Sequence, residues 1–323
     1  MMMKTLVKFF WIVLLVPAIL FTGCKESTEE TPANESYKIL TDYMVAESMD
    51  LPDVLDGWIV GAPTEADLAT FLGTYDILDI RVADDFAAGR IEVAVNTTLG
   101  GILDAAANTT KPILVVCYTG QSAGHAVVAL RLSGYSDAKV LKFGMSGWNS
   151  NTAASWEGNI GNVAVGHSNW VDAPGSVASP QTFDTPVIST TATTGAAILA
   201  EQVSKMLTTG FKGVSNDAVL TSPSNYHINN YWASTDVEHY GHINGAYRIQ
   251  PLSIAGGQMA NLDPSKEVIT YCWTGQTSSM ITAYLSVLGY NTASLKFGAN
   301  GMIYEDLESH KYATPAVDLP LVQ

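Results

Sequence analysis

Cys117 and Cys272 head two nearly identical hexapeptides, Cys117-Tyr118-Thr119-Gly120-Gln121-Ser122 and Cys272-Trp273-Thr274-Gly275-Gln276-Thr277. Each follows a short apolar run, Ile113-Leu114-Val115-Val116 in the first case and Val268-Ile269-Thr270-Tyr271 in the second. A cysteine at the carboxyl end of a buried strand sits where open α/β sheets place their sites. The glycine-containing loop behind it can turn successive backbone N–H groups inward as a nest. A helix opening from that loop adds free N–H donors and the positive end of its dipole. Such a cradle favours thiolate over thiol and would hold a persulfide, Cys–S–S⁻, by the same donors. Thr119 and Thr274 can add hydroxyl hydrogen bonds. A lone cysteine ending a strand is ordinarily a packing residue. Here two of the chain's three cysteines occupy equivalent loops, which points to chemistry.

The elements that must position these loops repeat as well. Gly89-Arg90-Ile91 answers to Gly241-His242-Ile243, and Gly134-Tyr135 to Gly289-Tyr290. Leu141-Lys142-Phe143-Gly144 answers to Leu295-Lys296-Phe297-Gly298, and Gly147 to Gly301. Matches in one order over so long a span mean two copies of one domain. In copy one, helical spacing is predicted over 65–72 and strands over 75–80, 113–116 and 139–143. A helix over 122–132 carries Val127 and Leu130 on one face and stops at Gly134. Copy two repeats the strand over 268–271 and the helix over 278–288. The expected fold class is α/β: two domains, each a mostly parallel central sheet flanked by helices on both faces. The domains are expected at 46–150 and 195–312. A wrapping linker poor in regular structure would join them over 151–194, with a tail at 313–323.

These motifs resemble the rhodanese family. The resemblance rests on Leu78-Asp79-Ile80-Arg81, on Phe86-Ala87-Ala88-Gly89-Arg90-Ile91 with Asn96, on the Cys117 loop, on Leu132-Ser133-Gly134-Tyr135, and on Leu141-Lys142-Phe143-Gly144-Met145-Ser146-Gly147-Trp148. Copy two keeps Gly241-His242-Ile243-Asn244-Gly245-Ala246, the Cys272 loop, Leu288-Gly289-Tyr290 and Leu295-Lys296-Phe297-Gly298. It implies the rhodanese fold and a sulfur-transfer cysteine, Cys117, Cys272 or both. The remaining loop residues, Tyr118 to Ser122 and Trp273 to Thr277, would form the anion cradle. Asp79 and Arg81 would brace it through a salt bridge. Many rhodaneses place Arg or Lys inside the loop. Neither loop here has one, so thiolate stabilisation falls to backbone and hydroxyl donors. Copy two has no evident Asp-x-Arg in the region Tyr226 to Trp232. Its helix starts with Ser278-Ser279 where copy one has the smaller Ala123-Gly124, expected to let substrates approach the sulfur.

The chain has 323 residues, 47% hydrophobic and 15% charged, which suits two domains with real cores. With 16 Lys+Arg against 31 Asp+Glu the net charge is −15, and no basic stretch marks a nucleic-acid site. Lys4 and Lys8 precede an apolar run from Phe9 to Phe21. That run is shorter than the about 20 residues of a spanning helix and suits a signal peptide. It ends in Leu20-Phe21-Thr22-Gly23-Cys24, which resembles a bacterial lipobox. The resemblance implies a signal peptide over 1–23, lipidation of Cys24 and a tether over 24–45. Lys25 after the cysteine favours the outer membrane, so the expected location is the cell envelope, lipid-anchored.

The leading expectation is therefore an exported sulfurtransferase taking sulfane sulfur from thiosulfate or polysulfide and passing it to a thiol or cyanide-like acceptor. No cofactor, metal or nucleic-acid partner is expected. His239-x-x-His242 reads as structural, His125 as a surface helix residue, and Trp148 as core or interface. The alternatives are a non-catalytic envelope binding or redox-sensing module, and a phosphatase or arsenate reductase. The last would want a longer loop closed by Arg.

Overall fold

The computed structural model describes residues 33–175 and 177–323. Copy one is a five-stranded sheet of β1 (Ile59–Val60), β2 (Asp76–Asp79), β3 (Val95–Asn96), β4 (Ile113–Val116) and β5 (Lys139–Leu141), in the order β1-β5-β4-β2-β3. Copy two uses β6 (Gly213–Val214), β7 (Tyr226–Asn230), β8 (Tyr247–Arg248), β9 (Glu267–Tyr271) and β10 (Thr292–Leu295), in the order β8-β7-β9-β10-β6. Read from the other edge, this is the same topology. Every pairing within both sheets is parallel. The α/β class and the duplication both hold.

The central strand β4 is buried along its whole length because both faces are covered. Ile113 and Val115 face one core, and Leu114 and Val116 face another. The first core is shared between the copies. Helices α2 (Gln121–Leu132) and α4 (Gln276–Val287) pack against each other there. Sequence spacing predicts one apolar face on α2, yet only Ser122 escapes burial. One side of α2 lies on its own sheet and the other on α4, so the helix is covered all round. Gly124 marks the closest approach: a Cβ there would lie 2.3 Å from Ser279 Oγ and 3.3 Å from Gln276 O. The small Ala123-Gly124 start thus serves helix packing and not substrate access.

The tether expected over 24–45 gives way at Ala33 to a 14-residue helix, α1 (Ala33–Ala46). Tyr37, Leu40 and Met44 on α1 are buried in the shared core, where α1 packs on α3 (Gly195–Thr209). Copy one therefore opens with a helix as copy two does. The segment before Ala33, including Cys24 and the signal peptide, lies outside the described residues. The linker is more structured than expected. It carries a helical turn, Ala154–Glu157, and a two-residue strand, Trp170–Val171, antiparallel to His242–Ile243. The tail returns to copy one: Arg90 and Val322 exchange backbone hydrogen bonds of 2.9 Å each way. Among the described residues no helix is long and apolar enough to cross a membrane.

Candidate functional site

Cys117 follows β4 directly, and its side chain is 1% exposed. The loop behind it is held by its carbonyls, which point away from the sulfur. Cys117 O accepts from Met145 N at 2.8 Å, Tyr118 O from Ser146 N at 3.1 Å, and Thr119 O from Trp156 Nε1 at 3.1 Å. With the carbonyls taken up outside, the N–H groups face inward. Gly120 N donates to Cys117 Sγ at 3.1 Å and Ala123 N at 3.4 Å. Gly120 has φ +81°, the left-handed turn that opens α2 toward the sulfur. The expected nest at a helix N-terminus is present, built from backbone alone.

The polar side chains of the loop do other work. Thr119 Oγ1 accepts from Gln121 Nε2 at 3.2 Å, and Thr274 Oγ1 from Gln276 N at 3.4 Å, so neither hydroxyl turns to its sulfur. Gln121 reaches across the domain boundary, where its Oε1 accepts from Phe297 N at 3.1 Å. Gln276 Nε2 lies against Gly120 of copy one. Gln121 thus ties its loop to the other copy, Gln276 packs against the first loop with no partner for its Nε2 among the described residues, and neither is part of an anion cradle. Ser122 and Thr277 sit partly exposed at the second position of their helices.

Asp79 and Arg81 form a buried ion pair at the end of β2. Asp79 Oδ2 accepts from Arg81 Nη2 at 2.7 Å and Nε at 3.0 Å, and Arg81 Nη2 also donates to Gly89 O at 2.8 Å. Asn96 Nδ2 donates to Asp79 O and Arg81 O, 2.9 Å each. This brace fixes the wall of a 360 Å³ cavity lined by Arg81, Asp85, Tyr118, Met145, Thr152 and Leu321. Tyr118 donates its hydroxyl to Asp85 and lies under the Arg81 guanidinium, 6.0 Å from its ring centre. Burial, aided by Asp85, pushes the Tyr118 phenol above its ordinary pKa, so it remains a donor. Leu321 comes from the C-terminal segment, expected to be a tail, which instead lines this cavity.

The profile of the rhodanese-like domain matches residues 64–151 and again residues 222–302. The chain belongs to the rhodanese-like domain family. None of the curated proteins matches it. Among solved structures it is similar to the thiosulfate sulfurtransferase of Pseudomonas aeruginosa, at 14% identity over 88% of this chain and 49% of that one, TM-score 0.28. It is also similar to the 3-mercaptopyruvate sulfotransferase SseA of Escherichia coli, at 15% over 75% and 98%, TM-score 0.26. A rhodanese-related protein of Thermoplasma volcanium matches at 22% over 27% and 86%, TM-score 0.24. These scores are too low to bear on activity.

The second rhodanese-like copy holds its cysteine differently. Cys272 is 2% exposed; Ser278 N donates to its Sγ at 3.3 Å, and Ser278 Oγ lies 3.7 Å away. Ser278 and Ser294 share a 2.8 Å hydroxyl contact. The missing Asp-x-Arg is found by register. Asp79 pairs with Val116 at the end of β4, and Asn230 pairs with Tyr271 at the end of β9. Asn230 and Trp232 therefore occupy the Asp79 and Arg81 positions. Asn230 Nδ2 donates to Tyr271 Oη at 2.7 Å. Trp232 stacks on Trp273 at 4.4 Å and 11°, and His310 covers the other face at 5.1 Å and 13°. Tyr240 meets Trp273 edge-on at 5.4 Å. The positions that line a cavity in copy one are here filled by an aromatic stack. No pattern search would find this, because the replacement shares no chemistry with Asp-x-Arg.

The remaining sequence candidates are structural. His125 is not on the surface: it is 2% exposed, 3.5 Å from Met206 O and edge-on to Phe211. Burial lowers its pKa to about 4. His242 is buried with Nδ1 at Ile243 O, while His239 faces Glu308 at the surface. Trp148 is core and donates to Pro320 O at 3.0 Å.

Proposed function

We propose that this chain is a sulfurtransferase whose working cysteine is Cys117. Two backbone N–H donors on one sulfur, at a helix N-terminus beside a braced cavity, carry the reading. The Cys117 thiolate attacks the outer sulfur of a thiosulfate or polysulfide donor. A new S–S bond forms, the donor's S–S bond breaks, and the electron pair leaves with sulfite or the shortened polysulfide. The outer persulfide sulfur, held by the Gly120 and Ala123 N–H groups, is then attacked by a thiol or cyanide-like acceptor. The Cys117–sulfur bond breaks and the thiolate returns. The chemistry asks nothing of a cofactor.

Cys272 is the weaker partner in this proposal. It has one backbone donor, from Ser278, in place of two, and its loop carries the aromatic stack of Trp232, Trp273 and His310 where copy one keeps a cavity. The lipobox-like stretch ending at Cys24 supports an envelope location, with lipid anchoring at the outer membrane as part of the proposal. Cyanide-trapped turnover of thiosulfate and polysulfide tests the reading. Activity should fall to background in Cys117→Ser and survive largely intact in Cys272→Ser. Equal activity of Cys117→Ser and the unaltered chain would overturn it in favour of a binding or redox-sensing module.

A further inference from the structure

The two copies of the domain serve as controls for each other. In copy one the inner face of β2 and β4 is ordinary core: Leu78 pairs with Val115, and both are buried. The positions that match them in copy two are Asn229 and Thr270, likewise paired and fully buried. His227 lies two residues before Asn229, so it shares that face. Its counterpart in copy one, Asp76, is satisfied by Thr110 N and Lys111 N. In copy two, Asn229 Oδ1 accepts from Ile249 N at 3.0 Å. His227 Nε2, Asn229 Nδ2 and Thr270 Oγ1 have no partner among the described residues. Leu78 and Val115 show that the fold does not need polar groups here. Burying them unpaired is unfavourable, and of the three it is His227 that reaches a cavity.

His227 forms part of the wall of a 630 Å³ cavity at the amino end of β7, the opposite end of the sheet from Cys272. That volume is within the range of about 300–1,000 Å³ typical of small-ligand sites. The imidazole is sandwiched, with Tyr247 stacked at 4.7 Å and 12° and Phe183 edge-on at 5.5 Å and 90°. The rim is rich in neutral amides and hydroxyls, among them Asn169, Gln181, Ser222, Asn225 and Asn244. Asp263 and Lys266 add one charge of each sign.

This chemistry selects against ions. An anion brings only acceptors and meets the Asp263 carboxylate. An ammonium brings only donors and meets the Lys266 charge. A hydroxyl both donates and accepts, so it suits the His227 imidazole and the amides of the rim alike. A ring of C–H groups between hydroxyls would lie against Tyr247 and Phe183. We propose that this cavity is a binding site for a neutral saccharide, separate from the sulfur loops. It goes beyond the sulfurtransferase reading and does not depend on it.

Saturation-transfer NMR and calorimetry on the full chain, with glucose, N-acetylglucosamine and their β-linked disaccharides as probes, test this directly. At least one should bind. His227→Phe keeps the ring and removes its nitrogens, and should weaken binding by about tenfold or more. Asn244→Ala is at an exposed site that spares the fold, and should weaken binding in the same direction. Cys117→Ser should bind as the unaltered chain does. Failure of every saccharide to bind would overturn the proposal. So would binding unchanged in both His227→Phe and Asn244→Ala, or a preference for inorganic phosphate over the sugars.

Discussion

Gly144 shows how tightly single residues specify the Cys117 loop. Its φ is +59°, and a Cβ would lie 2.3 Å from Cys117 O, 2.7 Å from Gly120 N and 2.8 Å from Thr119 N. All three neighbours are backbone atoms of the loop, so nothing can rotate away. Gly144→Ala should cost at least about 1–3 kcal/mol from the strained backbone alone. It should also slow persulfide formation at Cys117 by displacing the Gly120 N–H. Urea denaturation and the rate of polysulfide labelling check the two parts. A second residue-scale expectation concerns pH. Burial holds His125 and His227 near pKa 4, against 6.5 for the free side chain. Around His227, Asp263 opposes this shift and Lys266 assists it. Between these values the unfolded chain binds more protons, so stability should fall as pH drops from about 6.5 toward 4. His125→Phe should flatten that slope in denaturation curves taken across the window. The two cysteine loops were legible at this scale because their residues recur in one order. The Asn230 and Trp232 positions were not, since only strand register reveals that they replace Asp79 and Arg81.

At the scale of elements, the strands and the long helices following each cysteine lie within a few residues of where periodicity and glycine stops put them. The ends of the chain do not. Helix α1 falls inside a stretch read as tether, yet Tyr37, Leu40, Thr41 and Met44 already have helical i, i+3, i+4, i+7 spacing. The Ser, Thr, Pro and Glu composition just before it masked that signal. The C-terminal segment is a strap and not a loose tail. His310 caps the stack over the Cys272 loop, and Tyr312 stacks on Trp156 at 4.9 Å. Leu319 enters the core of copy one, and Leu321 lines the cavity beside Tyr118. Asn300 fastens the strap to the second loop, its Nδ2 donating to Trp273 O at 2.8 Å and to His310 O at 3.0 Å. Such contacts are long-range in sequence, and no local pattern announces them. Leu319→Ala should destabilise the protein by about 2–5 kcal/mol, the usual cost of emptying a buried leucine site. Deleting residues 317–323 should destabilise further and raise the KM for the sulfur donor. Urea denaturation and steady-state kinetics on the two variants would show both effects.

For the whole molecule, the shared core matters most. Helices α1, α2, α3 and α4 meet in one cluster, and Tyr284 Oη of copy two donates to Met49 O at 3.0 Å. The Asp50 carboxylate accepts from Ile254 N at 2.8 Å and from Ala255 N at 3.0 Å. The copies should therefore unfold together, in one transition that coincides by fluorescence and by circular dichroism. Two separated transitions would contradict a shared core. Within this single body the copies have diverged in opposite senses: the first keeps a braced cavity lined by Tyr118 of its cysteine loop, and the second fills the matching space with aromatic rings. The most direct measurement of that division is peptide mapping by mass spectrometry after brief polysulfide treatment of the full chain. One added sulfur atom on Cys117, with Cys272 unchanged, is the predicted result. Added sulfur on Cys272 alone, or on neither cysteine, would contradict it.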